Sequence, residues 1–484
     1  MIPRSSAAFV ALALLATAAC VAPAPARAAA SPASRPNIVI LLSDDLGWAD
    51  LGCYGSTFYE TPHLDQLARE GTRFTHYYTA GSICSPTRSS LMTGKYPVRT
   101  GITDWIPGMK DPPNSPLVTT PTKTVLSPTE PTFARAFQAA GYHTFYTGKW
   151  HLGPADEGLK AYGWEDYVGD IGGDQVGEAA VGRQGDRAVY LKNRRDTTER
   201  FTQASLDFLD HHGRERPFVL MLSYHDVHTP IQPMPGIVDH FIAKKKSMGP
   251  DPAPLVEHDG QTRARQDNVD YASMITAVDD SVARLRAKLS ALGLAENTIV
   301  IFASDNGGLA TLKKPGPTNN GPLRSGKGWL YEGGIRAPLI VLAPGVTRAG
   351  RTDDTAIIST DLYPTLLGLA SLPLEPTHHL DGVNLTPLLR GGTPPARPTL
   401  YWHYPHYHGS TWAPGAAIRD GDWKLIEFYH YRTVELYRLT DDPGEAHDLS
   451  KNNPEKTAEL LGKLHAWQTS VHAIMPRPRP TATP

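Results

Sequence analysis

Four strand-length apolar runs break into polar or glycine-rich residues at the same end, and this recurrence constrains the fold more than any other feature of the chain. Asn37 to Leu42 leads into Ser43-Asp44-Asp45, and His143 to Tyr146 into Thr147-Gly148-Lys149. Phe218 to Leu222 leads into Ser223 through His228, and Thr298 to Phe302 into Ser304-Asp305-Asn306 after a single alanine. Continuous runs without period-two alternation suit strands covered on both faces, as in a parallel α/β sheet. Periodicity alone leaves buried helix open; length and β-branched content favour strand. Ligands of such sheets bind outside the carboxyl ends of the strands, where each of these polar clusters falls.

Between the runs, Asp267 to Leu292 repeats Ile275, Val278, Val282, Leu285 and Leu289 at three- and four-residue spacing, the pattern of a core-facing crossover helix. Asp361 reads as the cap of a second helix, Leu362 to Ala370. At 484 residues the chain exceeds the size at which one core keeps growing, so a large and a smaller domain are expected. Gly391 to Pro398 has the composition of a linker. Beyond it, short segments at Ala417 to Arg419, Trp423 to Phe428 and Val434 to Arg438 precede a helix from Pro454 to Trp467, which fits a small antiparallel sheet plus one helix. The expected division is a main α/β domain over 36–390, an α+β subdomain over 398–474, and a disordered Pro/Arg-rich tail over 475–484.

The first 30 residues read as an export signal. Met1 to Arg4, an apolar stretch from Ala7 to Ala19, and Ala26-Arg27-Ala28 reproduce its three regions, and the apolar stretch is too short for a stable transmembrane segment. Secretion, into a bacterial periplasm, is the expectation. Cys20 offers an alternative, lipid attachment, although Thr17 stands where that signal usually has Leu. After cleavage only Cys53 and Cys84 remain, too few for a disulfide framework, and Cys53 reads as a small buried apolar residue. A formal net charge of -2 provides no basic field for nucleic acid, so an anionic substrate must meet a local positive cluster.

Cys84-Ser85-Pro86-Thr87-Arg88 continues through Ser89 to Thr93 and Gly94, which reads as N-cap Ser85, Pro86 at the first helical position and Gly94 past the end. Cys84 then lies at a helix mouth that attracts anions and stabilises thiolates, with Arg88 one turn in. A tyrosine-phosphatase loop needs its Arg where this chain has Ser90. Cys-x-Pro-x-Arg running into Leu91-Met92-Thr93-Gly94 resembles the signature of the type I sulfatases, of the alkaline phosphatase superfamily, in which the Cys is oxidised to formylglycine (3-oxoalanine) by a separate generating enzyme. That resemblance implies an alkaline-phosphatase-like fold, a large sheet sandwiched by helices, and hydrolysis of sulfate monoesters.

Asp44, Asp45, Asp305 and Asn306 would offer four oxygen ligands at one sheet edge if their strands are neighbours, a set that selects Ca²⁺ or Mg²⁺ over zinc. Separately, Asp-Asp after a strand suits a helix cap, and Asp-Asn-Gly-Gly a tight turn. The sulfatase resemblance assigns the four, with the residue derived from Cys84, to a Ca²⁺ shell, with Mg²⁺ the alternative. Related two-zinc phosphatases carry Asp-His where this chain has Asp305-Asn306.

Three further segments match sulfatase patterns: Gly148-Lys149-Trp150-His151-Leu152-Gly153, His228-Thr229-Pro230, and Gly326-Lys327-Gly328 followed by Tyr331 to Arg336. Sulfuryl transfer places charge on the leaving oxygen, so cations and a proton donor must surround it. By resemblance Arg88, Lys149 and Lys327 supply charge. His228 protonates the leaving group, with Lys327 its competitor and His225 a neighbouring alternative, and His151 removes a proton from the sulfated intermediate. A hydrated aldehyde has two hydroxyls on one carbon: one attacks sulfur, and deprotonation of the other expels sulfate. Thr103 to Pro107 and Tyr401 to His406 are dense in aromatic and polar rings; Trp105, His403 and His406 are candidate sugar contacts, with domain packing the competing reading. Both stretches resemble bacterial polysaccharide sulfatases, which implies a sulfated saccharide or small molecule as substrate. The rivals are a phosphonate or phosphate-ester hydrolase sharing the formylglycine site, and a sulfated-glycan binding protein in which Cys84 stays unmodified.

Overall fold

The four apolar runs form four adjacent parallel strands. In the computed structural model Asn37–Ser43 lies between Thr298–Ser304 and Phe218–Ser223, and the latter pairs in turn with His143–Lys149. Successive side chains of Asn37–Ser43 enter opposite cores: Ile38, Ile40 and Leu42 pack with Phe133, Phe137, Leu362 and Leu366, whereas Val39 and Leu41 pack with Ile275, Val278, Val282 and Leu285. Burial on both faces is why the sequence shows no alternation. Ser43 pairs with Ser304, and Leu42 and Gly148 both with Ser223, so the strands end level and their polar clusters share one edge.

The sheet has nine strands among the described residues. Arg336–Leu342 runs antiparallel to Thr298–Ser304, Thr72–Tyr78 antiparallel to Arg336–Leu342, and Arg351–Asp353 and Ile357–Ile358 parallel to Thr72–Tyr78. Asp166–Asp170 closes the opposite edge. The fold is therefore α/β, with a large, mostly parallel sheet between helices and smaller antiparallel sheets.

The structure describes Met1 and residues 35–480 except 155–157, 171–178, 185–186, 192–196, 213–214 and 394–395. The expected leader over 1–30, with Cys20, lies outside the described residues. Residues Arg35–Pro484 form one compact unit. No described helix is long and apolar enough to cross a membrane.

The expected crossover helix is Val269–Ala291, started by Asn268, whose side chain accepts from the Asp270 and Tyr271 amides. Asp361 holds the expected N-cap position, but its side chain does not cap the helix. It closes a 3-10 turn, Ser359–Asp361, that runs straight into the helix Leu362–Leu369, and its carboxylate accepts from the Ile358 and Val383 amides while Arg397 binds it at 2.6 Å. It anchors Arg397 rather than capping the helix ahead of it.

The C-terminal sheet has four strands, not three: Thr399–Tyr404, Gly415–Asp420, Trp423–Phe428 and Thr433–Arg438, all antiparallel. Leu460 and Leu464 of the helix Pro454–Ser470 pack on Ile418, Leu425 and Leu436. The tail is also corrected, as far as residue 480. Arg477–Pro478 pairs with Leu117–Val118, and Arg479 donates its amide to the Pro116 carbonyl at 2.7 Å and its Nε to the Ser115 carbonyl at 2.8 Å, so donors on Arg479 anchor a proline-rich segment that has few amides of its own.

Candidate active site

At the level strand ends, Cys84 sits against the carboxylates that follow the central strand. The helix spans Cys84–Thr93 with Ile83 as N-cap, so Cys84 is its first residue, and every side chain in it is buried. Ser85 is not the cap: its hydroxyl accepts from the Ile106 amide at 3.1 Å and holds the following loop. Gly94, at φ +64°, ends the helix with its amide on the Ser90 carbonyl.

The Cys84 thiol lies 3.3 Å from Asp44 Oδ1, 3.8 Å from Asp45 Oδ1 and 3.5 Å from Lys327 Nζ. Arg88, one turn along, donates Nε to Asp305 at 2.8 Å with Nη2 also 2.8 Å from that carboxylate, and its Nη1 reaches both the Lys149 carbonyl and Ser223 Oγ. Lys149 Nζ binds Asp44 and Lys327 Nζ binds Asp45, each at 2.7 Å. Asn306 Nδ2 donates to Asp45 Oδ1 at 2.8 Å. Three buried carboxylates thus interleave with three buried cations, Arg88, Lys149 and Lys327.

The loop after Phe218–Ser223 is sewn to the same edge: Ser43 Oγ and the Asp44 amide donate to the Asp226 carbonyl, and the Val227 amide to the Asp44 carbonyl. His228 thereby places Nε2 3.7 Å from Asp45 Oδ2, while its Nδ1–H donates to the Thr229 carbonyl. His225 stacks on Phe201. His151, at φ +53°, is buried with Nε2–H on the Ile106 carbonyl at 2.9 Å.

Burial pushes the Cys84 thiol well above its ordinary range, with Asp44 adding to the rise, so as a cysteine it is held as the weakly nucleophilic thiol. Burial would raise Asp44 too, but Lys149, His228, Arg88 and Lys327 hold it well below the usual carboxylate range. Asp305 is raised, by burial and by the charge of Asp44, against the opposing Arg88. Burial would depress Lys327, yet Asp45 keeps it charged. His228 is lowered by burial and by Lys327.

A hard divalent cation fits this cage. Ligand atoms of Asp44, Asp45, Cys84 and Asp305 all lie within 4.8 Å of one another, and the buried Asn306 Oδ1 has no hydrogen-bond partner. An orphaned buried amide oxygen among carboxylates is the acceptor such an ion would satisfy.

The three expected sugar contacts diverge. Trp105 packs, partly buried, against the cluster that holds Tyr78, Ile83, Trp402 and Trp412. His406 is enclosed and shares a 2.8 Å hydrogen bond with Thr103 Oγ1, which ties the two aromatic stretches to each other. His403 is turned into the packing of the C-terminal sheet: Nε2–H donates to the Ile474 carbonyl, and Nδ1 faces Tyr429 and Gln468. Trp402 is buried with its indole N–H on the Thr79 carbonyl. The aromatic density of Tyr401 to His406 thus arises largely from packing on the main sheet. Two residues at the site went unread. Ser223, which binds Arg88, was visible only as part of a polar strand end, and His408, which packs beside Gly328, had no motif around it.

A sulfatase family profile matches residues 36–372, and a second profile, N-sulphoglucosamine sulphohydrolase, C-terminal, matches 325–471. The chain belongs to the sulfatase family, and it is a sulfatase enzyme. Human arylsulfatase A is 32% identical over 90% of this chain and 87% of its own length; human N-acetylgalactosamine-6-sulfatase is 29% identical over 91% and 86%. Among solved structures, Ps i-CgsB in complex with k-i-k-neocarrahexaose superposes with a TM-score of 0.71 at 28% identity, covering 90% of this chain and 93% of that one.

Proposed function

We propose that the protein hydrolyses sulfate monoesters of saccharides, using formylglycine made from Cys84 and a bound Ca²⁺. The observation that carries this reading is the convergence on one buried thiol of three carboxylates, an orphaned amide oxygen and three cations. Such a cage suits a divalent ion together with a tetrahedral anion.

When bound, the cation supplies charge that acidifies an oxygen at the Cys84 position and steadies a sulfate oxygen. Conversion of Cys84 supplies a carbonyl carbon whose hydrate carries two hydroxyls. Arg88 fixes Asp305 and adds positive charge beside Asp44. Lys149 and Lys327 stand on either side and neutralise charge that grows on the transferring group. His228, oriented by the Thr229 carbonyl, passes a proton from Nε2 to the departing alcohol oxygen. His151 takes the proton whose loss releases sulfate and restores the carbonyl.

The saccharide assignment is supported by the relative named N-acetylgalactosamine-6-sulfatase and by the structural neighbour in complex with k-i-k-neocarrahexaose. Of the three expected contacts, Trp105 remains a candidate; His406 is enclosed against Thr103, and the His403 ring is spent on Ile474, Tyr429 and Gln468. Export to a periplasm accords with the leader read from the sequence.

The test is expression with the generating enzyme, followed by a panel of defined sulfated saccharides, 4-nitrophenyl sulfate, and phosphate mono- and diesters. The Cys84 peptide should lose about 18 Da on conversion, sulfate should be released from saccharides, and chelation of Ca²⁺ should abolish release until the ion is restored. Preferred turnover of a phosphate ester, or full activity with an unconverted Cys84, would overturn the proposal.

A further inference from the structure

We infer that His408 is a specificity-determining residue of this site, a neutral N–H donor directed at the alcohol part of the sulfate ester. The inference rests on the sulfatase reading and deepens it.

His408 follows the strand Thr399–Tyr404, in a loop held by several independent bonds. Its own amide donates to the Trp412 carbonyl, the Thr411 amide donates to the His408 carbonyl, and the Trp329 indole N–H reaches the Ser410 carbonyl at 2.7 Å. Tyr404 stacks on Trp412 across the loop. The ring is therefore carried by a rigid turn and not by a free side chain.

That turn lays the imidazole against Gly328, the residue after Lys327. A Cβ added to Gly328 would stand 2.2 Å from His408 Nδ1, so only glycine there, at φ +85°, admits the ring. The ring thus sits one residue along the backbone from Lys327, whose Nζ reaches Asp45 at 2.7 Å and the Cys84 sulfur at 3.5 Å. It is partly exposed, unlike Arg88, Lys149 and Lys327, which are enclosed.

The tautomer follows from the hydrogen bonds. The Ser410 amide points at Nδ1 at 3.2 Å, and the Ser410 hydroxyl lies 2.8 Å from the same atom. A backbone N–H can only donate, so Nδ1 accepts and the ring proton resides on Nε2. Burial and the charge of Lys327 push the pKa of His408 down to about 3, so it remains neutral where the enzyme would work. It cannot exchange protons with the leaving group as His228 does. A fixed, uncharged donor beside the cage instead suits a hydroxyl or ring oxygen of the alcohol, a group saccharide sulfates possess and simple aryl sulfates lack.

Converted protein is assayed with 4-nitrophenyl sulfate and with the saccharide sulfate turned over best in the panel. Replacing His408 by Leu should raise KM for the saccharide about tenfold, the value of one neutral hydrogen bond. Its kcat should hold within about twofold, and aryl sulfate turnover should barely change. His408→Gln, whose amide N–H reaches the Nε2 position, should restore most of the saccharide affinity. Should His408→Leu not fold, His408→Asn, whose amide reaches only the Nδ1 position, serves as the donor-less variant. Equal losses on both substrates, no loss on either, failure of Gln to rescue, or aryl turnover without any saccharide turnover would overturn the inference. Absence of sulfate release from every ester would instead overturn the sulfatase reading itself.

Discussion

At Cys84 the chain supplies a thiol, and the surroundings work against using it as one: burial and the carboxylate of Asp44, 3.3 Å away, keep it protonated. A side chain with a single hydroxyl exposes what conversion adds. Cys84→Ser can attack sulfur once but has no second hydroxyl through which to expel sulfate, so one equivalent should be transferred and turnover should stop. Intact-protein mass after incubation with substrate reads the outcome, and repeated turnover by this variant would sink the mechanism. His228 gives the pH dependence. Its pKa is lowered, so in the free enzyme Nε2 holds a proton only on the acid side of the ordinary histidine range, and the donor form declines as pH rises through that depressed value. For esters with poor leaving groups kcat/KM should fall with rising pH. His228→Gln should flatten that limb while 4-nitrophenyl sulfate, whose leaving group needs less help, responds weakly. An unchanged profile in the variant would assign proton donation to Lys327. Asp44, Asp45, Lys149, Asp305 and Asn306 were legible because they close apolar runs, and Cys84, Arg88, His228 and Lys327 because their motifs resemble sulfatase patterns. His408 was not, because its place beside Lys327 depends on Trp329 and Trp412 fixing a loop from the distant C-terminal sheet.

Among the elements, the strands were legible because burial on both faces forces continuous apolar runs, and their register brings the polar ends into line. Gly148 shows how narrow the tolerance is. A Cβ there would stand 1.7 Å from the Ser223 carbonyl, at φ +104°, in a strand that must deliver Lys149 to Asp44. Gly148→Ala should therefore cost more than about 2 kcal/mol, combining left-handed strain with a clash against backbone that cannot yield. Urea midpoints measure it, and an unchanged midpoint would mean that the two strands separate readily. Helix starts and aromatic clusters were harder to read. Ser85 has the chemistry of a cap, yet Ile83 fills that position because the hydroxyl is taken by the Ile106 amide. Asp361 looks like a cap because its real partner, Arg397, lies 36 residues further along the chain. His403 and Trp402 resemble a sugar platform because packing and recognition draw on the same rings, and only tertiary contacts such as Trp402 with Thr79 distinguish them.

Across the whole molecule, the C-terminal sheet joins the catalytic edge through a fully buried ion network. Lys424, in the strand Trp423–Phe428, binds Glu332 at 2.9 Å and Glu445 at 2.8 Å, and Glu332 also accepts from Tyr78 and faces Arg336. Glu332 opens the short helical turn Glu332–Ile335, and the Gly334 carbonyl of that turn accepts the amide of Gly307, the residue after Asn306. The network therefore connects the sheet that carries His408 to the backbone that carries a candidate cation ligand. Burial would raise Glu332, but Lys424 and Arg336 hold it down to about 2, whereas burial and Glu332 push Glu445 up. With its pKa depressed, Glu332 contributes stability above the unfolded carboxylate range, and that contribution is lost as pH falls toward the folded value. Removing the shared cation leaves two buried carboxylates facing each other. Lys424→Met should destabilise the protein by about 3–5 kcal/mol at neutral pH, the usual penalty for breaking a buried pair from one side. Raising the pH to about 9 should deepen this loss, because Glu445, held at about 7 even beside Lys424, then gives up its proton and faces Glu332 as a second buried charge. Adding Glu445→Gln to Lys424→Met should remove that further loss at about pH 9. Denaturant titrations of the single and double variants at both pH values decide the matter: a Lys424→Met midpoint equal to wild type at pH 7, or a double variant no better than the single one at the higher pH, would show that the C-terminal sheet is held by its apolar contacts alone.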